Sequence, residues 1–247
     1  MKLHVIGHKG IVGGATYELL SRLGHEVTGS DKDQDIPYGI DTFFICTPED
    51  NVGEVIRDLL SRERLHVVVR STTPVGTIQE LSAKYEVCIS HWPEHLREAT
   101  AVWDCYFPPF INIGECCKLH GDKLEDLLRP LGVPIIRSDT ITSEASKYAI
   151  NCFKATVISF WNEFYELSKS IGFNAHLASR IAANDPVVPT YGIILGKAYG
   201  GRCLPKDMRR LIDTAKDYKV SLPVLEAAEE VNRRIREVNG ESEIKTG

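Results

Sequence analysis

The stretch Val5-Ile6-Gly7-His8-Lys9-Gly10-Ile11-Val12-Gly13-Gly14 reads as the end of a strand, a glycine-rich turn and the start of a helix. Glycines in such a turn permit a tight bend, close approach of the backbone to a pyrophosphate and close packing of helix on strand. The amides at the helix N-terminus favour the phosphate charge. The spacing is Gly-x-x-Gly-x-x-Gly, and turn glycines are common, so the motif alone decides little. Asp31 adds weight. It closes a second strand-like run, Val27-Thr28-Gly29-Ser30-Asp31, eighteen residues after Gly13. A carboxylate there accepts hydrogen bonds from ribose hydroxyls and repels a 2′-phosphate, so the expected cofactor is NAD rather than NADP. Asp33 and Asp35 leave a plain turn aspartate as the competing reading, and Lys32 weakens the case against NADP. Ligands of open parallel sheets sit beyond the carboxyl ends of the strands. The expected cofactor contacts are therefore Gly7, Gly10, Ile11, Val12, Gly13 and Asp31, then Cys46-Thr47-Pro48 after the third strand and Ser71-Thr72 after the fourth. His8, Lys9 and His91 stand near such ends and are read as surface or packing residues.

Outward from this turn, residues 1–140 alternate short apolar runs with helical stretches, the pattern of a parallel sheet. The strands are placed at Leu3–Ile6, Glu26–Gly29, Thr42–Cys46, His66–Val69, Val87–Ser90, Phe110–Ile113 and Pro134–Ile136. Helices are placed near 11–23, 51–62, 77–84 and 121–130. A long helix runs from Glu144 to Ile171, stopped by Gly172, and spans on the order of 40 Å. Tyr148, Cys152, Phe153, Thr156, Phe160, Phe164, Leu167 and Ile171 form its apolar stripe. A helix so long and apolar on more than one side calls for a partner, read as a second domain or a second copy of the chain. Shorter helices follow, from Asn174 to Ala183, then near 206–218 and 222–238. The fold class is α/β: a Rossmann-type doubly wound parallel sheet followed by an all-helical domain with a long central helix. The expected domains are 1–141 (dinucleotide-binding) and 142–240 (helical, dimerising), with 241–247 a flexible tail.

The segment Ala198-Tyr199-Gly200-Gly201-Arg202-Cys203-Leu204-Pro205-Lys206-Asp207 sets one cysteine after two glycines and just before a helix. A thiol at a helix N-terminus flanked by Arg202 and Lys206 is expected to have a lowered pKa and to be partly thiolate, which is how a covalent nucleophile is built. A buried structural cysteine is the bland alternative. Lys147 and Asn151, four apart at the start of the long helix, share a face. Without context they are a solvated face. With the cysteine they read as donors aimed at an anionic oxygen.

Composition narrows the classes. Of 247 residues, 43% are apolar and 26% charged, ordinary values for a globular protein. The net charge of -5 and the lack of a basic cluster give no reason to expect nucleic acid. The chain begins directly with a strand, so no signal peptide is expected, and no apolar stretch is long enough for a membrane span. The seven cysteines have no paired spacing, and Cys116-Cys117 are adjacent rather than Cys-x-x-Cys. The expectation is reduced thiols in a cytoplasm and no metal site.

Several of these motifs together resemble the UDP-glucose/GDP-mannose dehydrogenase family. Besides the segments around Lys147 and Cys203, Arg70-Ser71-Thr72-Thr73-Pro74-Val75-Gly76-Thr77 is similar to that family's Ser-Thr-x-Pro-x-Gly-Thr loop. Pro93-Glu94-His95-Leu96-Arg97-Glu98-Ala99 is similar to its Pro-Glu-Phe-Leu-x-Glu-Gly stretch, and Ile158-Ser159-Phe160-Trp161-Asn162-Glu163 to the end of its central helix. The resemblance implies two successive oxidations of a primary alcohol of a nucleotide sugar to the carboxylate by two NAD, yielding polysaccharide precursors. It implies that Cys203 traps the aldehyde as a thiohemiacetal that becomes a thioester, with Lys147 and Asn151 as the oxyanion-stabilising pair. Asp207 would hold water with Thr72, and Glu94 would be the general base for thioester hydrolysis. Glu98 would lie near the nicotinamide, Lys206 would orient cofactor or substrate, and the 144–171 helix would form a homodimer.

The match departs from the family in places. The family's usual turn is Gly-x-Gly-x-x-Gly, one residue shorter. Only Lys32 to Ile40 separate the second and third strands, too short for a helical crossover. Leu195-Gly196-Lys197-Ala198-Tyr199 replaces a Pro-Gly-x-Gly-aromatic pattern, and the further C-terminal domain that grips the substrate's nucleotide has no counterpart by residue 247. Two other classes stay open: a two-electron hydroxyacid or alcohol dehydrogenase using Lys147 and Asn151, and a non-catalytic NAD-binding relative.

Overall fold

The computed structural model describes residues 1–32, 34–62 and 66–241. Asp33 and the tail residues 242–247, on which expectations were placed, lie outside them. The chain divides into two compact units, Met1–Lys147 and a second from Tyr148 onwards.

The first unit is a seven-stranded sheet of order β2-β1-β3-β4-β5-β6-β7. Its strands are β1 (Lys2–Ile6), β2 (Glu26–Ser30), β3 (Thr42–Ile45), β4 (Val67–Val69), β5 (Ile89–His91), β6 (Ile111–Gly114) and β7 (Ile135–Ser138). Phe44 and Val68 face a core with Leu3, Val5, Leu19 and Leu128, while Phe43, Ile45, Val67 and Val69 face another with Ile56, Leu59 and Ile78. Strands covered on both faces read as unbroken apolar runs, which is why they were legible. The helices are α1 (Ile11–Arg22), α2 (Val52–Leu59), α3 (Thr77–Tyr85), α4 (Ala101–Tyr106) and α5 (Lys118–Leu128). The six-residue α4 had no periodic signal.

The sheet is not wholly parallel. β6 runs antiparallel to β5, and a single registered pair, His91 with Gly114, joins them. Among the described residues the link from β2 to β3 carries no helix, in keeping with its length, and β2 is an edge strand beside β1. One thiol expectation is overturned: Cys88 and Cys116 form a disulfide with Cα atoms 5.5 Å apart. They lie 28 residues apart in sequence, and only the antiparallel β5–β6 seam brings them together.

A long helix, α6 (Thr140–Ile171), opens in the first unit; α7 (Ala175–Ala182), α8 (Cys203–Asp217) and α9 (Pro223–Val238) follow. α6 begins one turn before the expected Glu144 because Asp139 accepts hydrogen bonds from the Thr142 amide (2.8 Å) and hydroxyl (2.7 Å). In the second unit Cys152, Ala155, Ile158, Tyr199, Met208 and Ala228 form the core. The expected apolar stripe is split. Tyr148 and Cys152 are buried, whereas Phe153, Phe160, Leu167 and Ile171 are exposed.

Glu144 entered the sequence reading only as the start of the long helix, yet it organises the loop after β4. Its buried carboxylate accepts from Thr73 Oγ1 (2.8 Å) and from the amides of Gly76 (2.8 Å) and Ile78 (3.1 Å). It thus caps α3, whose N-cap Gly76 has φ of 97° and supplies no side chain. Burial pushes this carboxyl up to about 7, against the opposing pull of those hydrogen bonds. A folded-state value raised above the ordinary 4.5 means that the group's contribution is fully present below pH 4.5 and is lost as pH rises through about 7. Urea unfolding across this window should show the wild type losing about 3 kcal/mol relative to Glu144→Gln. Parallel curves for the two proteins would contradict the assignment.

Candidate active site

In the first unit the glycine turn is a cradle with no room for side chains. Gly7 has φ of +86°, and a Cβ there would stand 2.8 Å from the Cys46 carbonyl oxygen. A Cβ on Gly13 would stand 2.0 Å from the carbonyl oxygen of Gly7. The helix α1 begins at Ile11 and Val12 after its N-cap Gly10, with no capping side chain and no acid in its first turn, which leaves its positive end directed at the turn. Asp31 follows β2. Its Oδ2 accepts from the Lys9 amide at 3.0 Å and lies 2.9 Å from His8 Nδ1. His8 and Lys9, read as surface residues, thus hold the carboxylate expected at the ribose.

β1 and β3 are neighbours at the point where the strand order reverses, so Gly7 and Cys46 flank the crevice where ligands of such sheets bind. Thr47 Oγ1 is buried with no hydrogen-bond partner among the described residues. Ser71 donates to the Thr47 carbonyl at 2.5 Å, Pro48 opens the turn before α2, and Thr72 follows half-buried. Burial pushes the Cys46 thiol up to about 11, so it stays protonated, donating to Thr16 Oγ1 at 3.8 Å. A glycine cradle, an orphaned hydroxyl and a carboxylate at the end of β2 fit a dinucleotide. His91 is a buried packing residue: its Nδ1 lies 2.9 Å from Ser143 Oγ, and burial pushes its pKa down to about 3.

Lys147, the last residue of this unit, is buried and donates to Glu94 twice, to the carbonyl at 2.5 Å and to Oε1 at 2.9 Å. Glu94 also accepts from the Leu96 amide at 2.8 Å. Burial alone would raise the Glu94 pKa. The Lys147 ammonium with its hydrogen bond, the Leu96 amide and Arg70 outweigh it, holding the carboxyl below its usual value. Arg70 was missed by sequence reasoning: it is fully buried, with its guanidinium 3.5 Å from the centre of the Trp92 ring. Glu98 sits exposed on a short turn of helix, Glu98–Thr100.

In the second unit Asn151 and Asp207 meet. The Asn151 amide donates to Asp207 Oδ2 at 2.6 Å, and both side chains are buried. Lys206 Nζ lies 3.1 Å from Asp207 Oδ1. Cys203 is the first residue of α8, three residues before the expected start, and is exposed. Four residues separate it from Asp207, so the thiol and the carboxylate share a helix face. The turn ahead of Cys203 is fixed by side chains rather than by secondary structure. Asn162 accepts from the Gly196 amide at 2.8 Å, Asn232 accepts from the Tyr199 amide at 2.7 Å, and Tyr199 donates its hydroxyl to Glu229. Each donor of the expected oxyanion pair therefore has a carboxylate partner of its own, Glu94 for Lys147 and Asp207 for Asn151, a pairing that sequence spacing did not reveal.

Residues 141–234 match the model of the UDP-glucose/GDP-mannose dehydrogenase family, central domain. Over 211 residues the chain is 35% identical to the GDP-mannose 6-dehydrogenase of Pseudomonas aeruginosa, covering 80% of this chain and 47% of that protein. Over 212 residues it is 31% identical to a UDP-glucose 6-dehydrogenase of Bacillus subtilis, covering 78% of this chain and 48% of that one. It spans about half the length of the curated relatives it matches. Its fold is that of a UDP-glucose dehydrogenase from the archaeon Pyrobaculum islandicum, with a TM-score of 0.84 at 23% identity over 97% of this chain and 71% of that one. On the sequence matches, the chain belongs to the UDP-glucose/GDP-mannose dehydrogenase family.

Proposed function

We propose that the chain oxidises the primary alcohol of a nucleotide sugar to the carboxylate with NAD, through a covalent intermediate on Cys203. The observation that carries this reading is the arrangement at the start of α8. An exposed cysteine stands one turn from a buried aspartate that is itself bound to Asn151 and Lys206. A thiol incidental to the fold would not need a buried, doubly partnered carboxylate on its own helix face.

NAD supplies the hydride acceptor at both oxidations. The first takes a hydride from carbon while the hydroxyl proton passes to solvent, leaving an aldehyde, and the Cys203 thiolate adds to its carbonyl carbon while the oxygen takes up negative charge. Lys147 and Asn151 are the donors for that oxygen. Loss of a second hydride converts the thiohemiacetal to a thioester. Water then attacks the acyl carbon, the thiolate leaves, and Glu94 takes the water's proton. A carboxyl held below its usual pKa is ionised at neutral pH, which a base requires. Asp207 fixes the Asn151 carboxamide and, with Thr72, is the candidate for placing the water. Gly7, Gly10, Ile11, Val12, Gly13, Asp31, Cys46, Thr47, Pro48 and Ser71 are the proposed cofactor contacts, with Glu98 and Lys206 beside them. The exposed Phe153, Phe160, Leu167 and Ile171 on α6 support a homodimer through that helix, since a repeated row of large apolar side chains disfavours water. A cytoplasmic setting and a role in making polysaccharide precursors go with this chemistry. No helix among the described residues is long and apolar enough to cross a membrane.

The test is stoichiometry. With limiting GDP-mannose or UDP-glucose, purified protein should form two NADH per carboxylate released, followed by absorbance and mass spectrometry. One NADH per substrate with a carbonyl product would replace this reading with a two-electron dehydrogenase. Tight NAD binding with no turnover of either sugar would replace it with a non-catalytic relative.

A further inference from the structure

Four side chains with metal-binding atoms converge in the first unit, at the ends of β5 and β6 on the opposite side of the sheet from the glycine turn. Cys88 precedes β5, Cys116 and Cys117 follow β6, and His120 lies on the first turn of α5. One ligand atom from each lies within 4.8 Å of all the others. A tetrahedral zinc ion, with bonds of about 2.3 Å to sulfur and about 2.1 Å to nitrogen, holds its ligand atoms roughly 3.5–3.8 Å apart. We propose that, once Cys88 and Cys116 are reduced, this quartet binds a thiophilic divalent cation, zinc, as a Cys3His site.

The disulfide by itself leaves part of this cluster unexplained. Cys117 contributes nothing to a Cys88–Cys116 bond, yet its sulfur faces the other two. It is the N-cap residue of α5 and offers no capping hydrogen bond there. Its sulfur is exposed and stands at the start of an eleven-residue helix, open to an incoming ion. His120 turns Nδ1 toward Cys116 Sγ at 3.5 Å and stacks its ring on His66, with centroids 4.1 Å apart, which holds the imidazole in place. Ser90 Oγ lies 3.7 Å from Cys116 Sγ, the position of a donor to a metal-bound thiolate. The helix that carries His120 is itself anchored, since Arg137 is paired with Glu115, Asp122 and Glu125. The site would also strengthen a weak place in the sheet. It clamps β5 to β6, where one registered pair is the whole ladder. The sequence argued against zinc because Cys116-Cys117 lacks the Cys-x-x-Cys spacing. The fold supplies the missing ligands from across the seam and from the next helical turn.

The chemistry balances with a thiol as reductant. Two thiols reduce the Cys88–Cys116 bond to two cysteines and leave as their own disulfide. Zinc then binds as the three cysteine thiols give up three protons to solvent and neutral His120 adds its lone pair, with no change in oxidation state. Cobalt(II), which takes zinc sites and has a visible spectrum, is the probe. Whole protein, reduced with a phosphine and freed of metal, should bind one cobalt per chain with the intense visible bands of a tetrahedral ion and a thiolate-to-metal charge-transfer band, both erased by zinc. Cys117→Ser and His120→Ala should each weaken zinc by at least about tenfold, because removing a direct ligand costs no less than removing an outer partner. Cys203→Ala should leave the spectrum unchanged. Absence of the cobalt bands in the reduced wild type overturns the proposal without requiring any variant to fold. So do unchanged affinities in both ligand variants, or bands that vanish with Cys203→Ala.

Discussion

Cys203→Ala should abolish carboxylate release and leave the fold intact. The residue is exposed at the first position of α8, so a smaller side chain there opens no buried cavity. Thermal stability should stay within the range of ordinary surface substitutions, about 0.5 kcal/mol. Without the thiolate there is no thiohemiacetal to oxidise and no thioester to hydrolyse. Acid formation should fall by at least about 10⁴-fold, the scale on which nucleophile deletions act. Cys203→Ser separates the chemistry further: the hydroxyl attacks more slowly than a thiolate, but its ester yields to water more slowly still than a thioester, so an ester adduct should build up and be visible by intact-protein mass. Acid release by Cys203→Ala at the wild-type rate, with the protein folded, would remove the covalent mechanism.

Lys147→Met should damage both stability and turnover, and the two effects can be separated. Lys147 and Glu94 have side chains only 4% and 8% exposed, 2.9 Å apart. Removing the ammonium leaves a buried carboxylate without its cation, at a cost of about 3–5 kcal/mol. The dependence on pH has a definite sign. In the wild type the Glu94 pKa is depressed, so its contribution is present above 4.5, the ordinary value, and is lost as pH falls through the lower folded value. In the variant the carboxyl can escape the penalty by taking a proton, so the deficit should be largest at neutral pH and shrink in acid. Lys147→Met/Glu94→Gln should recover most of the stability, because both charges are gone. It should not recover turnover, where loss of an oxyanion donor and a base is expected to lower kcat by about 10²–10⁴-fold. Urea titrations and steady-state kinetics on the three proteins measure this. A double variant that regained kcat with its stability would mean that the pair is structural only.

The parts of the fold that were legible in the sequence were those with local causes. Both faces of β3 and β4 are covered, so Thr42–Ile45 and Val67–Val69 read as apolar runs, and Gly7 and Gly13 sit where a Cβ would strike a carbonyl. The ends of helices were less legible where the cap was unusual. α8 starts at Cys203 rather than near 206 because Arg202 is already helical at the N-cap position. The stripe on α6 mixed two environments that periodicity cannot separate: Tyr148 and Cys152 point into a core, whereas Phe153 and Phe160 do not.

By itself the sequence determined the strand–turn–helix order, the glycine cradle, the carboxylate after β2 and the cysteine opening α8, because backbone sterics and nearest-neighbour periodicity are local properties of the chain. Tertiary structure alone decided the antiparallel seam of β5 and β6, the Cys88–Cys116 bond, and which carboxylate binds which donor: Glu94 with Lys147, Asp207 with Asn151, Glu144 with the end of α3. These partners lie 28 to 68 residues apart. For the carboxylates, what selects the partner is the requirement that a buried charge find its complement in three dimensions; for the cysteines it is the strand pairing that brings them together, and a one-dimensional pattern records neither distance.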